Sequence, residues 1–389
     1  MNLFIKIYIL LSIALIIFDL AFLAVKQFKN SELYPRNSKL ENSIRKEIAL
    51  RRKTNSFSPN FLKTLSLQLT QTKNLITLHS VLETEPDTMD WFRTTIYEKI
   101  DVYLKKTDYE QAFYTYVISC FDYSEEEIPP YFLNRLLTLL NSTSLYTFSN
   151  TMNALYRFGQ VNLMMLAIDK ADERGKFYHK KLLTDGILAS RVDLKELTAK
   201  LTERFYQYSP HMQECLLDIF RMGNGDASQL CMELIHNHDL DEQVRYSAMR
   251  YFSKHPCESS RKFFLRILKN NDAAWVEQML AIQCLGCYRD GDIYQAVKDK
   301  ATSRHWYVRT NAMEYLHRQG ISCEEIAEIL HAKDKYASEA LLYQYRDDHE
   351  MTMFIIRTIQ EIEQNAMQTQ GSPAPAEDAN CKEEVASSV

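Results

Sequence analysis

Glycine and proline are scarce in this chain, with nine of each among 389 residues. Sandwiches, barrels and other loop-rich folds draw heavily on both for their turns, so the shortage excludes those classes and favours helices. Charge of either sign is not in large excess: 46 Lys and Arg face 51 Asp and Glu, a net of −5. No nucleic-acid-binding stripe follows from so mild a balance. The eight cysteines, Cys120, Cys215, Cys231, Cys257, Cys284, Cys287, Cys323 and Cys381, lack any framework spacing. In a long chain that pattern reads as free thiols in a reducing compartment. Also lacking are a phosphate-cradling glycine loop, a nucleophile elbow and a zincin helix. We therefore expect no enzyme and no cofactor.

What the chain does have begins at its N-terminus. Leu3 to Val25 are apolar apart from Lys6, Ser12 and Asp19. A helix of that length reaches roughly 35 Å, enough for a hydrocarbon core of about 30 Å. A cleaved signal peptide would need small residues at −3 and −1. A cut after Ala24 puts Phe22 at −3, and a cut after Ala21 puts Asp19 there, so residues 1–25 read as an uncleaved transmembrane anchor. Only Lys6 precedes the span. Lys26, Lys29, Arg36, Lys39, Arg45, Lys46, Arg51, Arg52 and Lys53 follow it. The positive-inside rule then puts the bulk of the chain in the cytoplasm, on the inner face of the cell membrane. Lys26, Lys29, Arg45, Lys46, Arg51, Arg52 and Lys53 are candidates for anionic headgroups, each adding about 1 kcal/mol near the surface. The other reading of this basic segment, residues 26–56, is a topogenic signal alone. Asp19 lies beyond the middle of the span, where a charge costs on the order of 1–3 kcal/mol. It reads better as an interfacial residue than as a handle for a partner helix.

From Pro210 onward the sequence repeats itself with a period of about 32 residues, within the range of helical repeat arrays. Met212, Val244, Val276 and Val308 mark the phase. Leu216, Ala248, Leu280 and Ala312 follow four residues later, and Phe220, Phe252, Cys284 and Leu316 four beyond those. These spacings place the three positions of each copy on one helical face. Breakers come next (Gly223 and Gly225, Pro256, Gly286, Gly320). Then comes a second apolar segment, as in "SQLCMELIHN", "SRKFFLRILKN", "DIYQAVKDKA" and "CEEIAEIL". One helical pair cannot cover its own apolar face, so such a period predicts stacked pairs, an α-solenoid. The expected fold is all-α.

Two copies share a fuller wording. "DLDEQVRYSAMRYF" at 239–252 and "SRHWYVRTNAMEYL" at 303–316 both carry Val-Arg-x-x-Ala, as Val244, Arg245, Ala248 and Val308, Arg309, Ala312. This resembles the first helix of a HEAT repeat of the short bacterial kind. "NDAAWVEQMLAIQCLG" at 271–286 departs from it, with Glu277 in place of the arginine, and the copy at 210–222 keeps only the apolar face. The resemblance covers about a third of the chain. It implies an armadillo-like helical scaffold that binds other proteins. Single-span bacterial members of that kind look like accessory parts of envelope or exopolysaccharide systems built around a membrane glycosyltransferase.

The other boundaries rest on composition. Residues 57–208 hold amphipathic segments such as "MDWFRTTIYEKIDVYLKK" and "FSNTMNALYRFG", rich in Tyr and Phe, and read as degenerate helical repeats continuous with residues 209–364. A separate helical domain before residue 209 is the alternative. Residues 365–389 are polar, acidic and Pro-bearing, and are expected to be a disordered tail.

Candidate chemistry is thin. His236, His238, Asp239 and Asp241 offer metal-ligand types in one loop, but Asp is a common helix N-cap at such a junction. Cys284 and Cys287 form a lone CxxC, and Cys284 occupies a core position of the repeat. Neither is taken as a metal site. Trp275 and Trp306 open the first helices of adjacent copies, and Arg304, His305 and Arg309 cluster with the second. Trp and Arg dominate interaction hot spots, so these five are the candidate protein-binding residues. The plain alternative is packing between repeats, with Arg309 paired to an acid of the next copy. HEAT-like glycosylases that act on DNA need a strongly basic surface, and a net-acidic, tethered chain is not expected to bind nucleic acid. The functional expectation is a non-catalytic scaffold for membrane-associated proteins. An enzyme or ligand sensor with a site on the concave face of the solenoid is the alternative.

Overall fold

The computed structural model describes residues 37–121, 128–175, 179–332 and 334–370. The predicted span Leu3 to Val25 lies outside them, as do Lys26, Lys29 and residues 371–389. Among the described residues every regular element is a helix and no strand occurs. No helix among them is long and apolar enough to cross a membrane.

Packing divides the chain into two compact units, the break running from Ile219 to Ala227. The first unit holds α1 (Ser38–Thr54), α2 (Phe61–Gln68), α3 (Thr72–Thr84), α4 (Arg93–Tyr97), α5 (Ile100–Tyr103) and α6 (Asp108–Ser119). After these come α7 (Pro130–Thr138), α8 (Leu145–Phe158), α9 (Val161–Glu173), α10 (Lys180–Leu188), α11 (Leu194–Arg204) and most of α12 (Pro210–Met222). Capping explains many of the starts. Asn37, Asp193 and Ser209 each turn a side-chain oxygen to a backbone N–H of the first turn, and Pro210 follows Ser209 at the first helical position. Gly159 ends α8 with φ 64°, the left-handed conformation that glycine adopts without strain.

Three boundaries differ from the sequence reading. The basic segment 26–56 contains α1, whose Leu40, Ile44 and Ile48 recur every four residues and are buried, α1 packing against α3. The segment 89–106 is broken into α4 and α5 after a 3-10 turn (Pro86–Phe92). Its buried Tyr97, Ile100 and Tyr103 recur every three residues, the period of a tighter helix. The two compact units part between Ile219 and Ala227, past residue 209 where the regular repeat frame opens, and Lys180 in α10 pairs with Glu214 (3.5 Å) and Asp218 (2.9 Å) of α12.

The second unit carries α13 (Ser228–His236), α14 (Glu242–Tyr251), α15 (Glu258–Lys269), α16 (Trp275–Leu285), α17 (Gly291–Lys298), α18 (Trp306–Gln319), α19 (Cys323–His331), α20 (Lys335–Gln344) and α21 (His349–Gln370). α21 runs past Gln364, where the tail was expected, since no breaker appears before Gly371. The repeat register holds. Of the twelve periodic positions all are buried except Val276, which is half-buried. Each second helix packs against the first helix of the next copy: α13 on α14, α15 on α16, α17 on α18, α19 on α20. Successive first helices also touch, in the order α14, α16, α18, α20. Asp241, Asp290, Ser322 and Asp334 cap α14, α17, α19 and α20 in turn.

Candidate functional site

The five candidate residues converge on the N-terminal turns of neighbouring first helices. Trp275 opens α16 and Trp306 opens α18; they are 37% and 57% exposed. The helix starts fall close together because α16 and α18 pack side by side. Trp275 therefore stacks on His305 at 5.8 Å and on Tyr307 at 5.6 Å, nearly parallel to both rings. Trp306 meets Tyr307 edge to face at 4.9 Å, and Arg304 Nε donates to His305 Nε2 at 3.4 Å. Stacked, half-exposed rings of this kind give a rigid apolar platform at small entropic cost.

The platform continues onto α20, where Tyr336 and Tyr343 are both more than half exposed. Arg309 lies between, its guanidinium 5.0 Å from the Tyr336 ring centre. Arg346 sits 4.5 Å over Tyr343. A groove of about 530 Å³ runs between α18 and α20, walled by Arg304, Trp306, Arg309, Tyr336, Glu339 and Tyr343. On the other side of Arg304 lies a smaller cleft of about 240 Å³, where Lys300 donates to Asn271 Oδ1 at 3.0 Å. Burial lowers the pKa of Lys300.

Tyr336 and Tyr343 were missed by sequence reasoning. The first helices of the second unit start at Glu242, Trp275, Trp306 and Lys335, so the step from one start to the next shortens along the unit. A frame of fixed period slips by the last copy, so nothing aligned these tyrosines with Trp306.

The arginines of the repeat behave unequally. Arg245 on α14 pairs with Glu277 on α16 at 2.7 Å, both side chains largely buried. Glu277, the residue that breaks the Val-Arg wording, is thus the partner of the arginine one copy earlier. Arg309 is 4% exposed and does not pair with an acid of the next copy. Its Nη1 donates to the Ser303 carbonyl at 2.6 Å, its Nε is buried without a hydrogen-bond partner, and its outer neighbour is the Tyr336 ring.

The remaining candidates resolve into packing. Asp241 caps α14 through Gln243 N (2.8 Å), His238 Nδ1 meets Arg245 Nη1 at 2.9 Å, and His236 packs against the Phe263 ring at 4.8 Å, tilted by 59°. Cys284 Sγ donates to the Met249 carbonyl at 3.1 Å, and burial drives its pKa well up, so the thiol stays protonated. In the first unit a cleft of about 450 Å³ is lined by Tyr116, Cys120, Asn153, Arg157 and Arg191. Cys120 Sγ lies 3.8 Å from His79 Nε2. Burial raises the thiol and lowers the imidazole, the opposite of what a thiolate–imidazolium nucleophile needs.

Of the basic residues singled out between 26 and 56, Arg45 pairs with Glu41 (3.1 Å) and Glu85 (3.3 Å), and Arg52 with Glu85 (3.0 Å) and Asp87 (2.8 Å). Arg51 lies 4.6 Å over both Phe57 and Trp91. Lys46 and Lys53 stand exposed. No family model and no curated protein matches the chain.

Proposed function

We propose that this chain is a non-catalytic scaffold, a HEAT-like α-solenoid anchored by residues 1–25 and displaying its repeats on the cytoplasmic membrane face to bind partner proteins. The observation that carries the reading is the aromatic and arginine surface across α16, α18 and α20. Trp306, Tyr307, Tyr336 and Tyr343 are each more than half exposed on adjacent first helices of one unit. Water-exposed rings gathered beside arginines are the composition of an interaction hot spot. Burial that recurs in step with the repeat supports the solenoid, because each copy relies on its neighbours for cover. A tether holds the surface at the membrane and raises the effective concentration of partners confined there. The resemblance points to an envelope or exopolysaccharide glycosyltransferase system as the setting.

The test is recovery of the full-length protein from native membranes with its companions identified, alongside Trp306→Ala and a variant lacking residues 1–25. A partner retained in stoichiometric amount by the wild type, and reduced at least tenfold by Trp306→Ala, supports the scaffold. A clean protein without any companion overturns it.

A further inference from the structure

Resting on the scaffold reading, the structure assigns a chemistry to the partner: we propose that the groove between α18 and α20 takes an acidic, extended peptide segment whose carboxylate completes Arg309.

The argument starts from the contrast between two equivalent arginines. Arg245 is compensated inside the protein by Glu277 at 2.7 Å. Arg309 sits in the corresponding place two copies later and is more deeply buried, yet no acid of the described residues comes within ion-pair distance. Burying a guanidinium without a counter-charge is costly, and the cost is relieved when a carboxylate arrives. Glu339, on the facing wall, is drawn to Lys335 at 3.9 Å and leaves Arg309 unpaired. One guanidinium N–H is used on the Ser303 carbonyl, and Nε has no acceptor. Arginine's remaining donors suit a planar carboxylate.

The surroundings narrow the occupant further. Arg304 lines the same groove beside Arg309 and brings a second positive charge to it, whereas Arg346, over the Tyr343 ring of the far wall, is paired to Asp347 at 3.6 Å. Between them Trp306, Tyr336 and Tyr343 offer ring faces without hydrogen-bond demands on a ligand backbone, a lining that accepts proline-bearing extended chains. A groove of about 530 Å³ holds several residues of such a chain.

The probe is a fluorescein-labelled (Glu-Pro)5 peptide, titrated into the full-length protein in detergent and followed by fluorescence polarisation, with (Gln-Pro)5 and (Lys-Pro)5 as matched controls. The glutamate peptide should bind at least tenfold tighter than the glutamine one, and free glutamate at equal concentration should not displace it. Arg309→Gln should cost at least tenfold. Because a buried substitution can disturb folding, Trp306→Ala and Arg304→Gln, both at exposed side chains, serve as second variants and should each weaken binding severalfold. Ala340→Glu, which adds a carboxylate to the groove wall, should compete from within and abolish binding while the helical circular dichroism is kept. Equal binding of the glutamate and glutamine peptides, or glutamate-peptide binding indifferent to Arg309→Gln and Trp306→Ala, overturns the proposal. That result leaves the scaffold standing wherever a membrane partner is still recovered, so the two readings fail separately.

Discussion

Arg245 and Arg309 occupy the same place in the repeat, and what they touch decides what each contributes. Arg245→Met leaves Glu277 as a buried acid without its counter-charge and should cost about 2–4 kcal/mol. Arg309→Met removes a charge that has no acid to lose, and should stay within about 1 kcal/mol of the wild type. Urea unfolding of the two variants measures the contrast directly. Equal losses would mean that Arg309 has its compensation inside the fold. The arginines themselves were legible in the sequence, as a motif repeated at 245 and 309. Their partners were not, because an ion pair across two helices depends on how far one helix is shifted along the other. Glu277 looked like a defect in the pattern until its contact with Arg245 gave it a role.

At the level of elements, the caps and the buried faces act together. Thr107 opens α6 with a capping box to Glu110, whose carboxylate also accepts from Lys106 (2.8 Å) and from Thr72 on α3. The Lys106 ammonium first, then the Thr72 hydroxyl, hold the Glu110 carboxyl at about 2 against an ordinary 4.5. A depressed carboxylate contributes stability that is complete above 4.5 and is lost as pH falls through about 2. Denaturation midpoints should therefore drop across that window, and Glu110→Gln should lower the midpoint at neutral pH and flatten the profile between 4.5 and 2. Superimposable profiles for the two proteins would contradict this account. Gly186, inside α10, is a second element-scale constraint. A Cβ there would run into the buried Tyr156 ring of α8, so Gly186→Ala should cost about 1–3 kcal/mol despite alanine's better helix propensity. A neutral or raised melting temperature for that variant would show that the ring moves aside freely.

For the whole molecule the expectation turns on residues 1–25 and on the exposed platform. The full-length chain should stay in the membrane pellet through alkaline carbonate, which strips peripheral proteins, and removal of residues 1–25 should release it. Release of the intact chain by carbonate would count against the anchor. The basic residues that follow contribute less to surface attraction than their number suggests. Arg45 and Arg52 are neutralised by Glu41, Glu85 and Asp87 within the first unit. Substituting Lys46 and Lys53, which are exposed, should leave pelleting of the full-length chain unchanged.

The sequence by itself determined the helical class, the repeat period and which face of each first helix is buried. These are local matters: a spacing of four residues places side chains on one face whatever the neighbours are, and scarce glycine and proline leave few breaks. It also singled out Trp275, Arg304, His305, Trp306 and Arg309. Only the tertiary structure decided that Trp275 stacks on His305 and Tyr307, that Tyr336 and Tyr343 join Trp306 around one groove, and that Arg309 lacks the acid that Arg245 has. Those relations depend on the offset between packed helices. That offset changes along the second unit as successive first helices start at ever shorter steps, and no period read along the chain encodes it.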